Sequence, residues 1–96
     1  MFCVKVDILR MTDDAQPVFV ECSLVDCNGN IHLFRDKLPV FTKEDAPKVP
    51  CEGVLRCTIL QEKRDTVVID TSLPDDIESS DGKTVFEVGR DQMSFL

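Results

Sequence analysis

Five cysteines and a single histidine are the residues whose chemistry would first attract a metal ion or make a nucleophile: Cys3, Cys22, Cys27, Cys51, Cys57 and His32. Structural zinc calls for close pairs of thiolates, but the spacings here are C-x4-C from 22 to 27 and C-x5-C from 51 to 57, with no C-x2-C knuckle. A Cys–His nucleophile would have to recruit His32, and no local pattern marks a strained nucleophile turn. Buried free thiols, acting as small apolar side chains, are the economical reading. The alternative is a small-molecule or metal-binding β domain that uses Cys22, His32 and Cys57.

Carboxylates are the second chemical resource. The stretch SLPDDIESSDG, residues 72–82, gathers Asp75, Asp76, Glu78 and Asp81 between a proline and a glycine, and the 17 residues 65–81 hold six acids and no base. With Asp70 these carboxylates miss the D-x-D-x-D-G order and the bidentate Glu of a calcium loop. A carboxylate pair for glycoside hydrolysis would lack a sugar platform, because the chain has neither Trp nor Tyr. No metal and no cofactor is expected, and the chain reads as non-catalytic. Clustered acid does suit docking on a basic protein, where it raises the encounter rate and sets orientation. Asp70, Asp75, Asp76, Glu78 and Asp81 are the candidate contact residues, and Leu73 and Ile77 are apolar anchors beside them. Met93 and Phe95 offer further anchors. The competing reading of the same stretch is a solvated loop that keeps a small protein soluble.

The whole chain has the same bias: 18 acids against 11 bases give a net charge of −7. Such a field repels nucleic-acid phosphate and anionic membrane alike. No run free of charged residues exceeds the eight of residues 27–34, against about 20 apolar residues for a membrane helix. The segment MFCVKVDILR places Lys5 and Asp7 where a signal core must be apolar, which argues against export. An odd number of cysteines points the same way, and the expected compartment is the cytoplasm.

The elements that must carry these residues read as strands. Ninety-six residues with a hydrophobic fraction of 43% suffice for one domain over 1–96 with one modest core. In FCVKVDILR the even positions are apolar, a strand with one wet face. After the polar turn TDDAQP, the run VFVECSLV is a second strand. DCNGN then has Asp26 to open a type I turn and Gly29 for its left-handed residue. A three-residue loop of this kind sets Asp26 against Asn30, Glu21 against Arg35, Cys22 against Phe34 and His32 beside Leu24; the competing two-residue Asn-Gly turn would set Cys22 against Arg35, a less favourable pair, so the longer loop is preferred. IHLFRDKLPV is strand three. Thr42 can cap a helical turn that Pro47 stops, over 42–47. GVLRCTIL and TVVIDT flank EKRD as a second hairpin, TVFEV is a last short strand, and GRDQMSFL adds a helical turn near the C-terminus. The expected fold is all-β: a single small antiparallel sandwich or barrel of about six strands. A sheet with one added helix is the alternative, and sheet-edge self-association is a third functional reading. The oligomeric state is not legible.

VECSLVDCNGNIHLF, DKLPV, IDTSLP, IES and TVFEV together resemble a group of short bacterial proteins of unassigned function. These are similar in the order V-E-C, D-x-x-G, K-x-P-V, I/V-D-T-S-x-P, E-S and F-E-V, and the resemblance spans Val20 to Val88. It implies a bacterial source and one β-rich domain, and no reaction. In that group an aromatic follows the proline, whereas Pro74 here precedes Asp75 and Asp76. By size, acidity and lack of catalytic motifs, the chain is also similar to immunity proteins, which cover the active site of a toxin, often a basic nuclease. That likeness implies a basic protein partner.

Overall fold

A computed structural model describes residues 1–13 and 16–96, with the side chain of Asp13 also left out; the centre of the expected TDDAQP turn, Asp14 and Ala15, lies outside them. Among the described residues eight strands follow one another: β1 (Phe2–Asp13), β2 (Phe19–Val25), β3 (Ile31–Lys37), β4 (Cys51–Arg56), β5 (Thr58–Glu62), β6 (Thr66–Asp70), β7 (Val85–Gly89) and β8 (Met93–Phe95). They form two antiparallel sheets. The larger runs β3-β2-β1-β4, with β8 also paired to β1; the smaller runs β5-β6-β7. The chain is thus all-β, with more strands than the about six that the sequence pattern suggests.

The long β1 organises the larger sheet. Its residues Cys3–Ile8 pair with β4, while the opposite edge pairs with β8 at Phe2–Val4 and with β2 from Asp7 onward. Alternation points Val4, Val6 and Ile8 inward, where they meet Val20, Cys22 and Leu24 of β2, Phe34 of β3 and Leu55 of β4. Val67 and Ile69 of β6, with Phe86 and Val88 of β7, line the same core from the smaller sheet.

The predicted hairpin register is present throughout, with Glu21 opposite Arg35, Cys22 opposite Phe34 and Leu24 opposite His32. Its loop is built as the turn chemistry requires. The Asp26 N–H donates to Asn30 O at 2.9 Å, the Asp26 carboxylate accepts the N–H groups of Asn28 and Asn30, and Gly29 sits at φ +81°.

Two expectations are corrected. GVLRCTIL is not one strand: it divides at Cys57, whose N–H donates to Phe2 O at 2.9 Å, and the chain passes there from the larger sheet to the smaller. Alternation alone does not reveal the split, because Leu55 and Cys57 are both buried, as one continuous strand face would be. The helical turn expected over 42–47 is also absent. A single 3-10 turn occupies Leu38–Val40 instead, with Pro39 in its first turn, where a missing N–H costs nothing. Thr42 accepts the Glu44 N–H but starts no helix. At the other end a 3-10 turn does form, at Arg90–Gln92, and leads into β8.

Hydrogen bonds between the sheets close the sandwich on its β3–β7 side. The Cys27 N–H in the β2–β3 turn donates to Glu87 O of β7 at 2.8 Å, and the Ser80 N–H donates to Leu33 O of β3 at 2.8 Å. Gln92 joins the same side, accepting the Gly89 N–H and donating to Val25 O, both at 2.8 Å. The result has a Cα radius of gyration of 12.7 Å, against about 13 Å for a compact domain of about 100 residues.

One glycine is required by packing. The strap after β3 crosses β4 at Gly53, and a Cβ there would lie 2.9 Å from both Phe41 O and the Ile8 Cδ1. Phe41 O meanwhile accepts the Val54 N–H at 2.9 Å, so the strap cannot easily retreat. Gly53→Ala is expected to cost about 1–3 kcal/mol in urea unfolding, the usual range for overpacking. A variant as stable as the parent would show that the strap is loosely held.

Candidate functional site

The acidic stretch is the connection between β6 and β7, and it is an ordered cap over one end of the sandwich. Thr71, immediately after β6, is fully buried. Its N–H donates to Thr84 O at 2.8 Å and its hydroxyl donates to Ile77 O at 2.7 Å, while the Ile77 N–H returns to Thr71 O at 3.1 Å. These bonds drive the Ile77 side chain into the core, where it is 4% exposed. The reading of Ile77 as a surface anchor is therefore corrected: it is a core residue, because the sheet end it covers would otherwise leave apolar side chains in water. Leu73 remains outside at 59% exposed.

Past Ile77 the chain makes a tight turn around the buried Ser79. Its hydroxyl accepts the Lys83 N–H at 3.0 Å and donates to the Asp81 carboxylate, and its N–H donates to Lys83 O at 2.8 Å. Gly82, at φ +81°, completes the turn by donating to Ser79 O. Ser80 then fastens the turn to β3 through both its N–H and its hydroxyl, which donate to Leu33 O at 2.8 and 3.2 Å.

This framework sorts the carboxylates by what they do. Asp70 accepts the Ser72 N–H at 2.9 Å, and that bond holds its carboxyl below the usual range. Asp81 is lowered chiefly by its bond from Ser79. Asp75 is neutralised in a two-pronged pair with Arg56, whose Nε donates at 2.9 Å and whose Nη2 makes the second contact. The base-free stretch thus borrows its counter-charge from β4, 19 residues earlier in the chain. Asp76 and Glu78, one on each side of Ile77, are exposed and form no ion pair among the described residues. Asp76 is held at φ +55° by its own N–H bond to Ser72 O at 2.9 Å, a left-handed conformation that Asp tolerates better than most residues. Of the remaining anchors, Met93 packs half-buried against the core, and Phe95 is exposed with its ring edge on Phe2.

The candidate thiols and histidine go elsewhere. Cys22 and Cys57 are buried, and burial pushes both thiols up to about 12, so the nucleophilic thiolate is suppressed. Cys3 is raised by the same cause. His32 lies against the Phe86 ring, with centroids 4.8 Å apart, and its Nε2 is 2.8 Å from Asp26 Oδ2. An ionised carboxylate can only accept, so Nε2 carries the proton. That pairing was missed because Asp26 was assigned only its turn-forming role, although the register that seats His32 beside Leu24 also brings it back to the turn. Among the described residues no three His, Cys, Asp or Glu side chains are grouped closely enough to hold a metal ion. No helix among the described residues is long and apolar enough to cross a membrane.

No protein-family model, curated protein or solved structure matches the chain.

Asp26 links the fold to pH. The hydrogen bond with His32, aided by the Asn30 and Asn28 N–H groups, lowers its carboxyl from 3.8 to about 2. A lowered folded-state value stabilises the native state above the unfolded value and loses that contribution as pH falls through the folded one. Thermal unfolding of the parent and of Asp26→Asn should therefore differ most above pH 4 and converge as pH falls toward about 2. A stability gap of constant size across this window would contradict the pairing.

Proposed function

We propose that the chain is a non-catalytic binding protein that docks on a basic protein through the cap between β6 and β7. The observation that carries this reading is the alternation Asp76–Ile77–Glu78. Burial of the central side chain holds two unpaired carboxylates outward on a fixed frame. Carboxylates positioned in this way lose little conformational freedom on meeting lysine or arginine, so more of the electrostatic attraction is retained as affinity. Leu73, exposed three residues before Asp76, supplies apolar contact. Asp70, Asp75 and Asp81 support the frame, and Asp70 and Asp81 add to the local field. The concrete form of the proposal is a cytoplasmic immunity protein of bacterial origin that neutralises a basic toxin nuclease.

The test is capture of a partner from a lysate of the source organism by the tagged chain at about 50 mM salt, with elution in steps to about 1 M, where the screening length is about 3 Å. Asp76→Lys with Glu78→Lys should release the partner at markedly lower salt, and the captured protein should be a nuclease inhibited by the parent chain. Asp75 is left unchanged, since a lysine there would face Arg56 and disturb the fold. Equal retention by parent and double variant would remove the docking role from this loop.

A further inference from the structure

The outer face of the larger sheet carries an apolar strip with unpaired acid on both flanks. Val25 and Ile31 are cross-strand partners, and Leu33 lies two residues along β3; they are 42%, 66% and 38% exposed. The acidic turn at Ser80–Asp81 is fastened to the β3 edge at Leu33 O. On the far flank, Asp7 of β1 stands directly opposite Glu52 of β4. Both are exposed, and neither joins an ion pair among the described residues. Like charges directly opposite one another on adjacent strands destabilise a sheet. Between β2 and β8 the face is indented by a notch of about 210 Å³, lined by Asp7, Glu52, Val25, Ser23 and Gln92 among others. Lys5 also lines the notch and partly offsets its charge, leaving two carboxylates to one ammonium.

We infer that this sheet face is the body of the docking surface, and that its occupant is a cationic protein surface presenting aliphatic side chains beside lysine or arginine. The inference rests on the reading of the chain as a binder of a basic protein, and it moves the apolar contact from the cap to the strip Val25–Ile31–Leu33. Charge complementarity selects the occupant. A second copy of the chain, at net −7, would set acid against acid on both flanks, as would nucleic acid. A small inorganic cation would leave the strip in water. A lysine or arginine side chain entering the notch would separate Asp7 from Glu52 electrostatically, while its neighbours cover the strip. Of the other bases of this face, Arg35 lies over the Phe19 ring and bonds Thr12, and Arg10 pairs with Glu21, while Lys37 stands exposed at the far end of β3, opposite Phe19 and away from the notch.

The test is a titration followed by backbone amide NMR at about 50 mM salt, using a leucine-containing oligolysine peptide and its oligoglutamate counterpart. The oligolysine peptide should shift the amides of Asp7, Val25, Leu33 and Glu52, and the oligoglutamate should not. Glu52→Lys should weaken binding about tenfold while raising Tm, because it converts a repulsive cross-strand pair into an attractive one. That opposite movement is the signature of a residue kept for binding. Shifts confined to residues 73–81, or full affinity in Glu52→Lys, would overturn the sheet-face surface and leave the cap reading standing. Absence of any peptide-induced shift would remove both, and concentration-dependent shifts at Val25 and Leu33 without peptide would hand the face to a second copy.

Discussion

Everything at the acidic end of the molecule depends on the insertion of Ile77 between the two sheets. The sandwich is short, and the end beyond Asp70 and Val85 would be open if the connecting chain only looped through solvent. Thr71 prevents this by bonding Ile77 at both its carbonyl and its N–H, so that the backbone is satisfied where it becomes buried. Once Ile77 points in, its neighbours Asp76 and Glu78 point out. A packing requirement of the core therefore fixes the positions of two exposed carboxylates.

The same economy extends around the closure of the sheets. Arg56, Ser80 and Gln92 are polar residues whose bonds join segments distant in sequence, and no buried side-chain polar atom is left without a partner among the described residues. These bonds favour one arrangement of the two sheets over slipped alternatives, since a slip would break them. Asp26 serves both as turn former and as the acceptor for His32, tying the hairpin tip to the aromatic contact with Phe86.

Local features were legible in the sequence, and long-range partners were not. The register of β2 and β3 followed from Asp26 and Gly29, because turn chemistry and alternation act over a few residues. The switch of sheets at Cys57 was hidden, since a buried cysteine fits a continuing strand equally well. The role of Arg56 was equally hidden: from sequence the Asp65–Asp81 zone holds no base, and only folding brings a guanidinium from β4 to Asp75. Ile77 was read as an exposed anchor because polar neighbours on both sides mark a loop, while its burial depends on the open end of a sandwich that local patterning does not describe. The like-charge pair of Asp7 and Glu52 required the pairing of β1 with β4, which are joined by no hairpin.

The account turns on the acidic connection being a rigid cap and not a solubilising loop. Native-state hydrogen exchange at the Ile77, Ser79 and Ser80 amides tests this most directly, because each donates to a named carbonyl: Thr71, Lys83 and Leu33. The account predicts opening free energies within about 1 kcal/mol of those of the β6 amides, as for one cooperative unit. Exchange of these three amides at the rate of an unstructured loop, with β6 still protected, would contradict it.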